Sequence, residues 1–201
     1  MNEFYYSQTP SSQRDVRLHE VEAAGVAIKA YTDAGVFSKE GLDYGSRLLV
    51  ESIPEASGRV LDLGCGWGAI GIILAKAFPG ISLTMSDVNA RAVELARRNC
   101  ALNGVDARAV ESDGMAKIEG TFDLIALNPP IRAGKKTVYD LFGQCFERLD
   151  AGGKLYIVIR KQQGAESAFK YLETLFASVR RVNRDKGYWI ILCEKDETNE
   201  T

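Results

Sequence analysis

Two segments hold the residue types best suited to chemistry: "DLGCGWGAIG" (residues 62–71) and "FDLIALNPPIRAGKK" (residues 122–136). In the first, Gly66-x-Gly68-x-x-Gly71 follows a short apolar run, and Asp87 stands at the end of the next run. Glycines in a strand-to-helix turn let the backbone come close to a ligand, so the pattern is nominally a nucleotide-cofactor fingerprint. In the second, an apolar strand stops on Asn128-Pro129-Pro130. Proline ends a strand because it has no N–H for the ladder. That explains neither the amide before the prolines nor Arg132, Lys135 and Lys136 after them.

Charge narrows the ligand of the glycine loop. A dinucleotide would set its pyrophosphate against the loop, where a carboxylate repels it, whereas S-adenosylmethionine has no phosphate and carries an ammonium and a sulfonium. Asp62, two residues before Gly64, favours the cationic ligand. Asp87 can accept from two ribose hydroxyls in either case. Asp62, Asp87 and Asp113 all fall at strand ends, which a loop built for packing alone does not require.

These residues need a scaffold. From "RVLDLG" onward, short β-branched runs alternate with helical stretches: "AIGIILAKAF", "SLTMSDV", "ARAVELARRNCALNG", "ARAVES", "FDLIALN", "TVYDLFGQCFERLDAGG" and "KLYIVIRK". Continuous apolar strands alternating with helices predict an α/β fold, a parallel sheet covered on both faces. After the helical "ESAFKYLETLFA", "SVRRVN" and "YWIILCE" flank the turn "RDKG", so the sheet ends with one reversed strand. Residues 1–58 are expected to form a hairpin about Gly25 and a helix over "KEGLDYGSRLLVESI", a preface to a core over 59–195, with a frayed tail at 196–201.

The 201 residues suffice for one cored domain. A net charge of −2 denies the chain a global basic field, so any nucleic-acid contact must rest on a local patch. Cys65, Cys100, Cys145 and Cys193 are too far apart for a zinc site or a disulfide framework and read as reduced packing residues, with no metal expected. No window reaches membrane-span length and the start lacks a leader pattern, which predicts a soluble cytoplasmic protein. His19, alternating with Leu18 and Val21, reads as structural.

"VLDLGCGWG", "SDVN", "SDG" and "NPP", in this order and spacing, resemble the class I S-adenosylmethionine-dependent methyltransferases over roughly residues 35–195. Within that class, "AGVFSKEGLDYGSRLLVES" and "FDLIALNPPIRAGKK" resemble the bacterial 16S ribosomal RNA guanine-N2 methyltransferases and their short single-domain relatives. The resemblance implies a Rossmann-like, seven-stranded, mostly parallel sheet with the last strand antiparallel. It implies cofactor contacts at Asp62, Gly64, Cys65, Gly66, Gly68, Asp87, Val88, Asp113, Gly114 and Asn128, with Asp62, Gly64 and Gly66 at the methionine, Asp87 at the ribose and Asp113 at the adenine.

The same resemblance gives the Asn-Pro-Pro a task. An exocyclic amine is a poor nucleophile because its lone pair is delocalised, and acceptors at Asn128 and the Pro129 carbonyl, on a loop stiffened by Pro130, draw that pair back onto nitrogen. Many such enzymes have an aromatic residue next, whereas this chain has Ile131; contact with the base is then expected either from Ile131 itself, as a flat aliphatic surface, or from Phe37 or an N-terminal tyrosine. Arg132, Lys135 and Lys136 would hold phosphates, with Arg160, Lys161, Arg180, Arg181, Arg184 and Lys186 adding to the rim. The expected partner is ribosomal RNA or a ribosomal subunit, and a partner chain or homodimer could supply further RNA-binding area. The alternatives are methylation of a protein glutamine amide, or a non-catalytic cofactor-binding module.

Overall fold

In the computed structural model, which describes residues 13–197, most residues of the strands β3 (Arg59–Leu63) and β6 (Phe122–Leu127) are buried. A strand with no wet face must be covered on both sides. These two pair in parallel at the centre of a seven-stranded sheet. β4 (Ser82–Asp87) and β5 (Ala107–Glu111) extend it in parallel on one side, and β7 (Leu149–Arg160) on the other. β8 (Ser178–Asp185) and β9 (Tyr188–Glu194) complete the order β5-β4-β3-β6-β7-β9-β8. β9 is the expected reversed strand, and it inserts between β7 and β8. The strand order turns back between β3 and β6, and in open α/β sheets such a switch point opens a crevice at the carboxyl ends of the strands.

Side-chain alternation divides the core in two. Val60, Leu124, Tyr156 and Ile190 face the side of α1 (Tyr44–Glu51), α2 (Ala69–Ala77) and α3 (Ala90–Asn103). Leu61, Ile125, Ile157 and Ile191 face the side of α4 (Lys135–Arg148) and α5 (Ala165–Leu172).

β1 (Arg17–Ala23) and β2 (Val26–Thr32) form the expected hairpin, turning through Ala24 and Gly25, which both have positive φ (49° and 73°). The hairpin packs on α2 and α3, and its outer seam is polar. Asn99 and Asn103 of α3 act as a substitute strand for the edge of β2 away from β1. The Tyr31 N–H donates to Asn99 Oδ1 (2.7 Å) and Asn99 Nδ2 donates back to the Tyr31 carbonyl (2.9 Å). Lys29 makes the same exchange with Asn103, at 3.1 and 2.7 Å.

Some boundaries differ from the sequence expectation. α1 starts at Tyr44 because Asp43 caps it, accepting from the Ser46 N–H (3.1 Å). α4 takes in Lys135 and Lys136, expected in a loop, and ends at Arg148, because Leu149 already pairs with Phe122 at an irregular start of β7. Residues 198–201 of the expected frayed tail, and the N-terminal tyrosines, lie outside the described residues.

Candidate active site

The turn after β3 is tied to β4, since the N–H groups of Gly64 and Cys65 both donate to the Ser86 carbonyl (2.8 and 2.9 Å). Gly64 and Gly66 have φ of 72° and 55°, and a Cβ on either would meet nothing nearer than the Phe37 carbonyl at 4.0 Å. Their backbone therefore borders open space that a side chain would narrow. Gly68 and Gly71 serve a different end. A Cβ on Gly68 would lie 3.1 Å from Ile72 and 3.3 Å from Ala96, and one on Gly71 would lie 2.9 Å from Met85 Sδ. These two glycines let α2 close on α3 and on the sheet.

The space is a cavity of about 500 Å³ at the switch point, lined by the ends of β3, β4, β5 and β6 and by the loop before α1. Of the residues expected at the cofactor, Gly64, Cys65, Gly66, Asp87, Val88, Asp113, Gly114 and Asn128 line it. Asp87 Oδ2 accepts from the Gly66 N–H (2.9 Å) and Oδ1 from the Asn89 N–H (2.9 Å). Burial raises the Asp87 pKa, and its backbone donors hold the rise back. Ser86 also lines the cavity, and its Oγ is buried without a partner among the described residues. Asp113 is exposed at the far end, and the turn that follows it is set by Ser112 Oγ, which donates to the Gly114 carbonyl (2.9 Å).

Asp62 and Gly68 stand apart from that set. Asp62 shares the face of Val60, toward α2, so its fully buried carboxylate lies behind the loop and accepts from the Gly71 N–H at 2.8 Å. Oδ1 has no partner. Burial pushes this carboxyl up to about 7; the Gly71 N–H opposes the rise and the Asp87 charge adds to it. Asp62 thus braces the loop rather than forming the cavity wall.

On the opposite wall are Asn128, Pro129 and Pro130. Asn128 Nδ2 donates to the buried Ser46 Oγ (3.0 Å), which leaves Oδ1 as the side chain's acceptor. The Pro129 carbonyl accepts from the Ile131 N–H (2.8 Å) and the Pro130 carbonyl from the Ala133 N–H (2.9 Å). The Pro129 carbonyl is therefore engaged by a local turn rather than by a strand ladder, and it keeps one lone pair.

Phe37 lines the cavity from the loop before α1 and is 36% exposed. That loop is pinned on the cofactor side by Asn89 Nδ2, donating to the Gly35 carbonyl (2.9 Å), by Arg91, donating to the Ala34 carbonyl (2.7 Å), and by Trp67 Nε1, donating to the Ser38 carbonyl (3.3 Å).

Ile131, Arg132, Lys135 and Lys136 lie outside the cavity. Ile131 and Lys135 instead border a hollow of about 130 Å³ beside Tyr139 and Ser167. The cations are exposed, yet Ala133 and Thr137 of the same segment line the cavity, so they stand at its mouth. The wider basic rim divides. Arg160, Lys161 and Lys186 reach the cavity end of the sheet, whereas Arg180 pairs with Glu194 (2.9 Å) and Arg181 covers Trp189. Cys65, Cys100, Cys145 and Cys193 are all buried, and burial raises each thiol's pKa, the opposite of an activated nucleophile. No metal-binding cluster occurs among the described residues, and none of their helices is long and apolar enough to cross a membrane.

Among the lining residues are three carboxylates, Asp43, Asp87 and Asp113, and no Lys, Arg or His. That wall suits an elongated cationic ligand and opposes a pyrophosphate. Asp43, Asp87 and Asp113, rather than Asp62, therefore set the charge that the ligand meets. Sequence reading missed Ser46, Asp43 and Ser86; the only signal was Asp43-x-x-Ser46, a helix-start pattern that says nothing of Asn128.

The family model of the methyltransferase small domain matches residues 27–192. The uncharacterized protein YbxB of Bacillus subtilis is 44% identical over 200 residues, 97% of this chain and 100% of that one. Ribosomal RNA small subunit methyltransferase C of Aeromonas hydrophila is 37% identical over 170 residues, 81% of this chain but 50% of that one. Among solved structures, the T. thermophilus 16S rRNA N2 G1207 methyltransferase, in complex with AdoMet and guanosine, superposes with a TM-score of 0.81 at 25% identity, covering 90% of this chain and 50% of that one. The chain thus spans all of one relative and half of the other two.

Proposed function

The chain belongs to the methyltransferase small domain family, and from that premise we propose that it methylates the exocyclic 2-amino group of a guanine in small-subunit ribosomal RNA. The donor is S-adenosylmethionine, which when bound supplies an electrophilic methyl group on a sulfonium. Gly64 and Gly66 give it room, Asp87 offers acceptor lone pairs to a ribose, and Asp113 stands at the adenine end of the cavity.

The observation that carries the reading is the Asn128–Ser46 hydrogen bond. With its donor side held by Ser46, the Asn128 amide presents an oxygen acceptor. The remaining Pro129 lone pair is a second acceptor one residue away. Two acceptors on the N–H bonds of one amine pull its nitrogen toward a tetrahedral shape and localise its lone pair, which is the nucleophile required. No strong base is needed, because the excess proton can leave to water after transfer. The exposed Arg132, Lys135 and Lys136 at the mouth suit a polyanionic acceptor, which favours RNA over a protein amide.

The test is incubation with 16S ribosomal RNA, and separately with small ribosomal subunits, in the presence of labelled donor, followed by nucleoside mass analysis. N2-methylguanosine at one site is the expected product. Label confined to protein, with none in RNA, would overturn the substrate assignment.

A further inference from the structure

Outside the cavity, at the same end of the sheet, two tyrosines and two cations form a cluster that the chemistry above does not use. β8 and β9 are joined by Lys186 and Gly187, both at positive φ (45° and 80°). That is the two-residue hairpin turn whose twist matches the strands. The first position favours Asn, Asp or Gly, and the lysine there takes up a conformation disfavoured for a residue with a Cβ. The turn is tied to the end of β7, since the Lys161 N–H donates to the Gly187 carbonyl (2.8 Å). Lys186 Nζ stands 4.3 Å above the Tyr44 ring, and the Arg160 guanidinium 4.6 Å above the Tyr188 ring. The rings are 5.7 Å apart, and the Tyr44 hydroxyl donates to Asp185.

The cluster adjoins the reacting centre through α1. A Cβ on Gly45 would lie 2.9 Å from the Tyr188 ring, so glycine lets the helix seat on the tyrosine, and the next residue, Ser46, holds Asn128. Arg160 and Lys186 are exposed, and neither sits in a salt bridge among the described residues. Asp185, the last residue of β8, accepts from the Tyr44 hydroxyl.

Magnitudes decide what the arrangement favours. An exposed cation over an aromatic ring is worth about 0.5–1 kcal/mol. A nucleobase stacked on such a ring is worth about 1–3 kcal/mol. A base can therefore displace the cation, and the displaced cation then meets the phosphate of that nucleotide.

On these grounds, and resting on the RNA substrate proposed above, we infer that Tyr44 and Tyr188 form a stacking platform for a nucleotide flanking the target base in single-stranded RNA, with Arg160 and Lys186 on its phosphates. The cavity has no cation on its wall, so the target base enters there while the strand beside it is held outside.

Titration of a fluorescein-labelled single-stranded ribo-oligonucleotide at several salt concentrations tests this. Arg160→Ala with Lys186→Ala removes two exposed side chains without disturbing the core, and should lower the log–log salt slope by about 1.4, near 0.7 per phosphate contact. Tyr188→Leu keeps an apolar residue against Gly45 and should weaken binding about tenfold with the slope unchanged. Lys76→Ala, a single charge at the C-terminal end of α2, away from the cavity, should leave affinity and slope alone. Parental slope in the double variant, together with parental affinity in Tyr188→Leu, overturns the platform and leaves the methylation reading intact. A parent protein that binds no oligonucleotide, yet labels a protein amide, overturns both.

Discussion

The two walls of the cavity are built on opposite terms. On the β3–β4 wall, Asp87 is tied to backbone N–H groups, Asp62 is sealed behind the loop, two glycines open space and two close the packing, and carboxylates are the only charges. On the β6–α4 wall, the polar groups belong to a proline-stiffened strand end, and the charges nearby are exposed cations at the mouth. One wall is preformed and acidic, suited to a small cation. The other is open and edged with positive charge, suited to a large anion. On the proposed function, this segregation of charge lets a cationic donor and a polyanionic acceptor share one cavity without either site attracting the other's ligand. They meet at Asn128, which belongs to the second wall but lines the common space.

The sharpest break of this contrast is at that meeting point. Asn128→Ala should slow methyl transfer by roughly 10²–10³, by analogy with loss of a preorganised oxyanion donor, because its acceptor strengthens as the amine pyramidalises. Donor and RNA affinities should stay near parental. Single-turnover rates at saturating ligands measure it, and a parental rate would reduce Asn-Pro-Pro to a strand terminator. Ser46→Ala, which frees the amide to rotate, should fall between Asn128→Ala and the parent.

The buried character of the first wall can be tested through pH. The Asp62 carboxyl is raised from its ordinary 3.8 to about 7, so the folded state holds this proton more firmly than the unfolded chain does. The stability it contributes is complete below about 3.8 and is lost as pH rises through about 7. Denaturation midpoints of the ligand-free protein should fall between pH 5 and pH 8, by the equivalent of roughly 1–3 kcal/mol. Asp62→Asn should flatten that fall; an equal fall in both proteins would mean the carboxyl is not sealed.

Asp87→Ala should weaken donor binding by about 1.5–3 kcal/mol, roughly 10- to 150-fold, because a charged acceptor is lost. RNA affinity should be unaffected. Calorimetry with the donor and with its demethylated product gives the value, and unchanged affinity would place the ribose elsewhere. The mildest change is expected from joint Ala replacement of Arg132, Lys135 and Lys136. The RNA salt slope should drop by about 2 and donor affinity should not move. A weakened donor site would mean that the two walls are not electrically separate.

What could be read from sequence is what is local. The glycine loop, Asp87, Asp113 and Asn-Pro-Pro are each written within a few residues, and the alternation around them specifies the sheet. Side-chain direction was harder. Asp62 stands one position before the end of β3, and strand parity turns it toward α2 rather than the cavity, which a count of strand-end carboxylates does not reveal. Lys135 and Lys136 open α4 although positive charge opposes the dipole at a helix start and Gly134 offers no side-chain cap, so no local signal announces that start. Ser46 lies 82 positions from Asn128, and no local rule joins them.

The paired amides of Asn99 and Asn103 also act as a ruler. Four residues of helix rise about 6 Å and two residues of strand about 6.6 Å, so an i, i+4 pair on α3 matches alternate peptides on β2. A slip of β2 by one residue would turn the Tyr31 and Lys29 peptides away and strand all four hydrogen bonds, and a slip by two would keep only one pair. The helix thereby meters how much chain is paid out into the loop that follows β2, and it holds Phe37 and Asp43 at a set reach over the cavity.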